Sequence, residues 1–156
     1  RVPLSRILLT LGASAGLVAT FTTMFASGDR IGVLRPGYPA YRNALRALGR
    51  EPVEIDCGPE RAFRLGADQV AAVPGTLHGL VVASPANPTG AILASRPNPP
   101  GVTTADLLSL VSTAHSMGMV VMLDVVANHM GCACSTFCSP MCFAFSSLSP
   151  SSSPFC

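Results

Sequence analysis

From residue 28 to residue 126, short apolar runs alternate with helix-periodic segments, and that alternation limits the chain to one class of fold. The runs "GDRIGVLRP" (28–36), "EPVEID" (51–56), "HGLVVAS" (78–84) and "MVVMLDVV" (119–126) are of strand length. The last two are nearly continuous in apolar residues, as strands covered on both faces must be. Between the first two, Pro39 suits a first helical turn, and Tyr41, Ala44, Leu45 and Leu48 form a buried stripe. Arg42, Arg46 and Arg50 fall outside that stripe, and Gly49 supplies a stop. A short helix is predicted over 67–72. Thr103 or Thr104 can cap another, with Leu107, Leu110, Val111 and Ala114 as its apolar face and Gly118 as its end. Strands alternating with helices pair in parallel through right-handed crossovers. The predicted fold is therefore α/β, a parallel or mixed sheet with flanking helices.

The amino-terminal segment extends the same pattern. "RILLTLG" (6–12) predicts a further short strand, and Ser14–Ala26 predicts a helix with Leu17, Val18, Phe21, Met24 and Phe25 on one face. Residues 7–28 carry no charge and follow Arg1 and Arg6, so a signal or membrane-spanning segment is the competing reading. The amphipathic face favours a helix packed on the sheet, and no membrane partner is expected from it.

Composition decides the boundaries. A length of 156 residues suffices for one modest core, and a chain 49% hydrophobic and 12% charged is globular. Its net charge of +2 rests on ten arginines scattered from Arg1 to Arg96, which gives no footprint for nucleic acid. Charge ends at Asp124, whereas Cys132, Cys134, Cys138, Cys142 and Cys156 crowd the residues beyond it and Cys57 stands alone. The tail spacings match no zinc pattern and include no histidine, so no metal is expected there. Three segments follow: 1–93, then 94–131 opening on the proline-rich break "ASRPNPPGV" (94–102), then a disordered, cysteine- and serine-rich C-terminal tail over 132–156.

Three places on this frame can carry chemistry. "GASAG" (12–16) lies at a strand-to-helix junction, where small residues let backbone N–H groups approach a phosphate, or simply make a tight turn. Tyr38 follows the second strand and either stacks on a flat ligand or joins the core. Asn87 in "NPTG" follows the strand at 78–84 and either donates a hydrogen bond at the sheet's carboxyl edge or makes an Asn-Pro turn.

"GASAG", "SGDRIGVLRPGYPAYRNALRALGREPVEI" (27–55) and "HGLVVASPANPTGAIL" (78–93) stand in an order and at spacings that resemble the large domain of class I/II, fold-type I pyridoxal-phosphate aminotransferases. The resemblance covers residues 1–93 and implies pyridoxal 5'-phosphate as cofactor and an amino acid/2-oxo acid pair as substrates. It further implies a homo-oligomer and a cytoplasmic location. By the same resemblance Gly12, Ala13 and Ser14 contact the cofactor phosphate, Tyr38 stacks on the pyridine ring and Asn87 bonds its phenolic oxygen. If residues 94–131 continue that domain, Asp124, ending the next strand, pairs with the ring nitrogen; otherwise it is a carboxylate capping a strand end. The family attaches its cofactor through a lysine that later moves the substrate proton. This sequence contains no lysine. The resemblance thus implies a truncated large domain that does not transaminate.

"GVTTADLLSLVSTAHSMGMVVMLDVVANHMG" (101–131) is also similar to fungal-type α-amylases, most specifically over "DVVANHMG" (124–131). That second resemblance implies a chimeric chain in which Asn128 ligands a structural calcium and His129 touches sugar. Retaining glycosidases need two positioned carboxylates, and no acid follows Asp124, so hydrolysis is not expected. A third reading is a secreted or membrane-targeted product without catalysis, its tail cysteines oxidised.

Overall fold

Helix α1 (Gly12–Met24) leads into strand β1 (Arg30–Arg35), and α2 (Pro39–Ala47) into β2 (Glu51–Asp56). The short α3 (Ala67–Ala71) precedes β3 (Gly79–Ser84), α4 (Thr104–Ser116) precedes β4 (Val120–Val126), and β5 (Phe143–Leu148) follows. The structure is a computed structural model that describes residues 3–92, 104–126 and 143–148. Its strands line up in the order β2-β1-β3-β4-β5, the first four parallel and β5 antiparallel to β4, so the sheet is mixed.

Period-two alternation divides the core between the two faces. Ile31, Val33, Val81, Ala83 and Met122 point to α1 and α2, where they meet Leu17, Phe21, Phe25, Tyr41 and Leu45. Leu80, Val82 and Val121 point the other way, to Val70 of α3 and to Leu110 and Ala114 of α4. Strand β3, buried on both faces, is the apolar run "GLVVA" for that reason. Arg50 ties the first layer together: its guanidinium donates to the carbonyls of Leu48 and Phe25, at the carboxyl ends of α2 and α1.

Three expectations are corrected. Residues 7–11 do not form a strand: Leu4–Arg6 make a 3-10 turn, and Leu8, Leu9 and Leu11 are 75%, 89% and 99% exposed. An apolar run becomes a strand only beside a neighbour's open N–H and C=O groups. Residues 7–11 pair with none of the five strands. Val18 is 44% exposed, because the i, i+4 row Leu17–Phe21–Phe25 takes the sheet-facing side of α1. In the tail, residues 143–148 pair with β4 over six registers, from Val126↔Phe143 to Val121↔Leu148. The free ladder of β4 supplied what their composition did not announce. The rest of 132–156, its five cysteines and the break at 94–102 lie outside the described residues.

Among the described residues no helix is long and apolar enough to cross a membrane; α1 has 13 residues.

Candidate functional site

Because β1, β3 and β4 are parallel, their carboxyl ends share one edge of the sheet. Strand β1 runs out into Pro36–Tyr38, and β3 into the turn carrying Asn87. Asp124 sits in β4 opposite Ala83, level with the last turn-ward residues of β3. Helix α1 reaches the same edge from the other direction. Its carboxyl end lies over the strand starts: a Cβ built on Gly79 would stand 2.4 Å from the Phe25 ring. Thirteen helical residues rise about 20 Å, and a six-residue strand spans about the same. The amino end of α1, Gly12–Ser14, is thus carried to the level of the strand ends.

That helix end is open to an anion. No side chain caps it, no acidic residue lies in its first turn, and Gly12 takes φ +82°, a left-handed conformation that favours glycine. Asn87 is exposed on a turn closed by Gly90 N–H donating to the Ala86 carbonyl at 2.7 Å and Ala86 N–H donating to Ala91 at 2.8 Å. Tyr38, 38% exposed, stands just before α2 and meets Tyr41 edge to face, ring centroids 5.5 Å apart at 85°.

The best-defined contact is one the sequence did not suggest. Tyr41 Oη donates to Asp124 Oδ2, both residues buried and 83 positions apart. The other carboxylate oxygen, Asp124 Oδ1, is buried without a hydrogen-bond partner among the described residues. A buried carboxylate oxygen left bare is costly, and the group that relieves it is an N–H donor, best a cationic one. Direct contacts run Tyr38–Tyr41–Asp124; Gly12–Ser14 and Asn87 share the edge with them. Tyr41 was legible only as part of the buried stripe of α2, although its place one turn after Tyr38 aims both rings at the same edge. Asn128 and His129 lie outside the described residues. Among the described residues no three histidine, cysteine or acidic side chains gather as metal ligands.

Two buried acids here titrate late. Burial, then the hydrogen bond to Asp124, pushes the Tyr41 phenol upward; burial, then the charge of Asp56, pushes the Cys57 thiol up to about 11. Both keep their protons in the folded chain at a pH where the unfolded chain loses them, so stability is whole below pH 9 and falls as pH rises toward 11. Urea denaturation at stepped pH should show this fall, and Cys57→Ala should flatten its lower part. A midpoint constant from pH 8 to 10.5 would contradict the burial of both groups.

The fold and edge define a three-layer α/β protein whose polar groups gather at the carboxyl ends of parallel strands. Residues 2–137 match the family model described as aminotransferase class I and II, and the chain belongs to that family. The match runs through the segment also likened to α-amylases. Over 81 residues the chain is 48% identical to a valine–pyruvate aminotransferase of Mycobacterium tuberculosis, covering 52% of this chain and 21% of that protein. Among solved structures it is similar to an aminotransferase from Mycobacterium tuberculosis, with 39% identity and a TM-score of 0.64 over 74% of this chain and 28% of that one. An aminotransferase described as putative, from Silicibacter pomeroyi, gives 38% identity and a TM-score of 0.68, covering 78% and 30%. The chain thus spans between a fifth and a third of the length of these relatives.

Proposed function

We propose that this chain forms part of a pyridoxal-phosphate site of the aminotransferase kind, for an amino acid and a 2-oxo acid, and does not transaminate by itself. The observation that carries this reading is the bare, buried Oδ1 of Asp124, which fits the protonated ring nitrogen of that cofactor. The phosphate fits the uncapped first turn at Gly12, Ala13 and Ser14, and the ring's face fits Tyr38. Asn87 is at hand for the phenolic oxygen. When bound, the cofactor supplies an electron sink for the bond broken at the amino acid's α-carbon. Asp124 would hold the proton on the ring nitrogen and so keep that sink deep, and Tyr38 would cover the ring's face. No residue of the chain can attach the cofactor covalently as a lysine would or carry the substrate proton as that lysine does, since the sequence has none.

The segment 104–126 is read as aminotransferase continuation, supported by β4 pairing with β3 over six registers in the next place of the same sheet. No calcium role for Asn128 is proposed.

Titration with pyridoxal phosphate, followed by visible circular dichroism, tests the site. The expected result is an induced band that Asn87→Ala weakens. A chain folded by far-ultraviolet dichroism that gives no band would refute the reading. Amino-group exchange with a keto acid by contaminant-free protein, faster than with free cofactor, would refute the inactivity.

A further inference from the structure

We propose that Tyr41 is a positioning residue for recognition of the ligand's ring nitrogen: by occupying Asp124 Oδ2 it leaves Oδ1 as the one oxygen offered to the ligand. The inference rests on the pyridoxal-phosphate reading and adds to it a residue that neither binds the cofactor nor reacts. A carboxylate turns freely about its terminal torsion, for which no steep staggered wells exist. Without a partner, the buried Asp124 carboxyl could rotate, and neither oxygen would be kept facing the ligand. The Tyr41 hydroxyl prevents this, because its single O–H donates to one carboxylate oxygen, Oδ2, and so fixes the other.

Tyr41 can do this because it is buried and packed in place. Its ring lies in the cluster with Leu17, Ile31, Leu45 and Val81, and the edge of the Tyr38 pair closes against it. The side chain that would cover the ligand's face and the carboxylate that would meet its nitrogen are therefore braced through one residue. The distance between those two functions is set by α2 and not by the ligand.

The test compares two ligands on the full chain: pyridoxal phosphate and its carbocyclic analogue in which the ring nitrogen is replaced by C–H. Wild type is expected to prefer the nitrogen-bearing ligand by roughly tenfold to a hundredfold, the range for one hydrogen bond to a charged group. Tyr41→Phe keeps the ring, the core contacts and the Tyr38 pair, and removes only the hydroxyl. It should bring that preference down to within about threefold while the chain remains folded by far-ultraviolet dichroism. An unchanged preference in Tyr41→Phe, even with a lower melting temperature, would make Tyr41 merely structural and overturn the proposal. Equal binding of both ligands by wild type overturns it too, through Asp124. Binding of neither overturns the cofactor reading itself, and the proposal with it. Should Tyr41→Phe not fold, 3-fluorotyrosine incorporated in a Tyr38→Phe background labels position 41 alone, since the chain has two tyrosines. A preference that shifts with the acidified phenol supports the proposal, and one that stays fixed overturns it.

Discussion

Phe21→Ala is expected to lower the free energy of unfolding by about 3–5 kcal/mol, read by urea denaturation. Phe21 is fully buried in α1, its ring 6.3 Å from that of Phe25 and enclosed by the cluster that includes Ile31, Val33, Leu45 and Val81. Three of those neighbours belong to strands whose positions are held by ladders on both sides, so the space cannot collapse. A single domain has about 5–15 kcal/mol in total, so the loss takes from about a fifth to all of it. Val18→Ala, one residue outside the sheet-facing row of the same helix, should change stability by no more than about 0.5–1 kcal/mol. Equal effects at the two positions would mean that α1 does not pack on the sheet by its Leu17–Phe21–Phe25 face.

Gly79→Ala should destabilise by about 1–3 kcal/mol, and here the sign is informative. Alanine for glycine in a strand ordinarily helps, by about 0.4–1 kcal/mol, through the unfolded chain. At position 79 the added Cβ would stand 2.4 Å from two atoms of the Phe25 ring and 3.2 Å from the Val120 carbonyl oxygen. The ring is 4% exposed and has no room to retreat, so overlap outweighs entropy. Combining Gly79→Ala with Phe25→Leu should be less damaging than the sum of the two by about 0.5–3 kcal/mol, the coupling seen for residues in contact. Strict additivity would place the end of α1 elsewhere.

The four parallel strands were legible because each is bounded by glycine or proline and buried on a face whose period the sequence displays. Pro39, Gly49 and Gly118 announced where α2 began and where α2 and α4 stopped. Residues 6–12 misled because "ILLTL" has strand composition, while being a strand depends on a neighbour, and pairing is not encoded within a segment. The same reason hid β5: "FAFSSL" joins the sheet because β4 has a free side. Of the proposed site, Gly12–Ser14, Tyr38, Asn87 and Asp124 could be nominated from junction logic and from resemblance to a family. Tyr41 could not. Its apolar ring fits the stripe of α2, and its hydroxyl meets Asp124 only once β3 has been placed between β1 and β4, an order no local pattern states.

The antiparallel partner of β4 also imposes a timetable. Twenty-two residues separate Val126 from Leu148, so at about 5–20 residues per second a ribosome delivers the last strand roughly 1–4 s after the fourth is complete. During that interval "VVMLDVV" has β3 on one side and nothing on the other, and an apolar strand with unanswered main-chain groups recruits whatever strand arrives first. In a crowded polysome that strand can belong to a sister chain. Yield in a cell should therefore respond to elongation rate and to chaperone supply more than to the stability of the finished sheet.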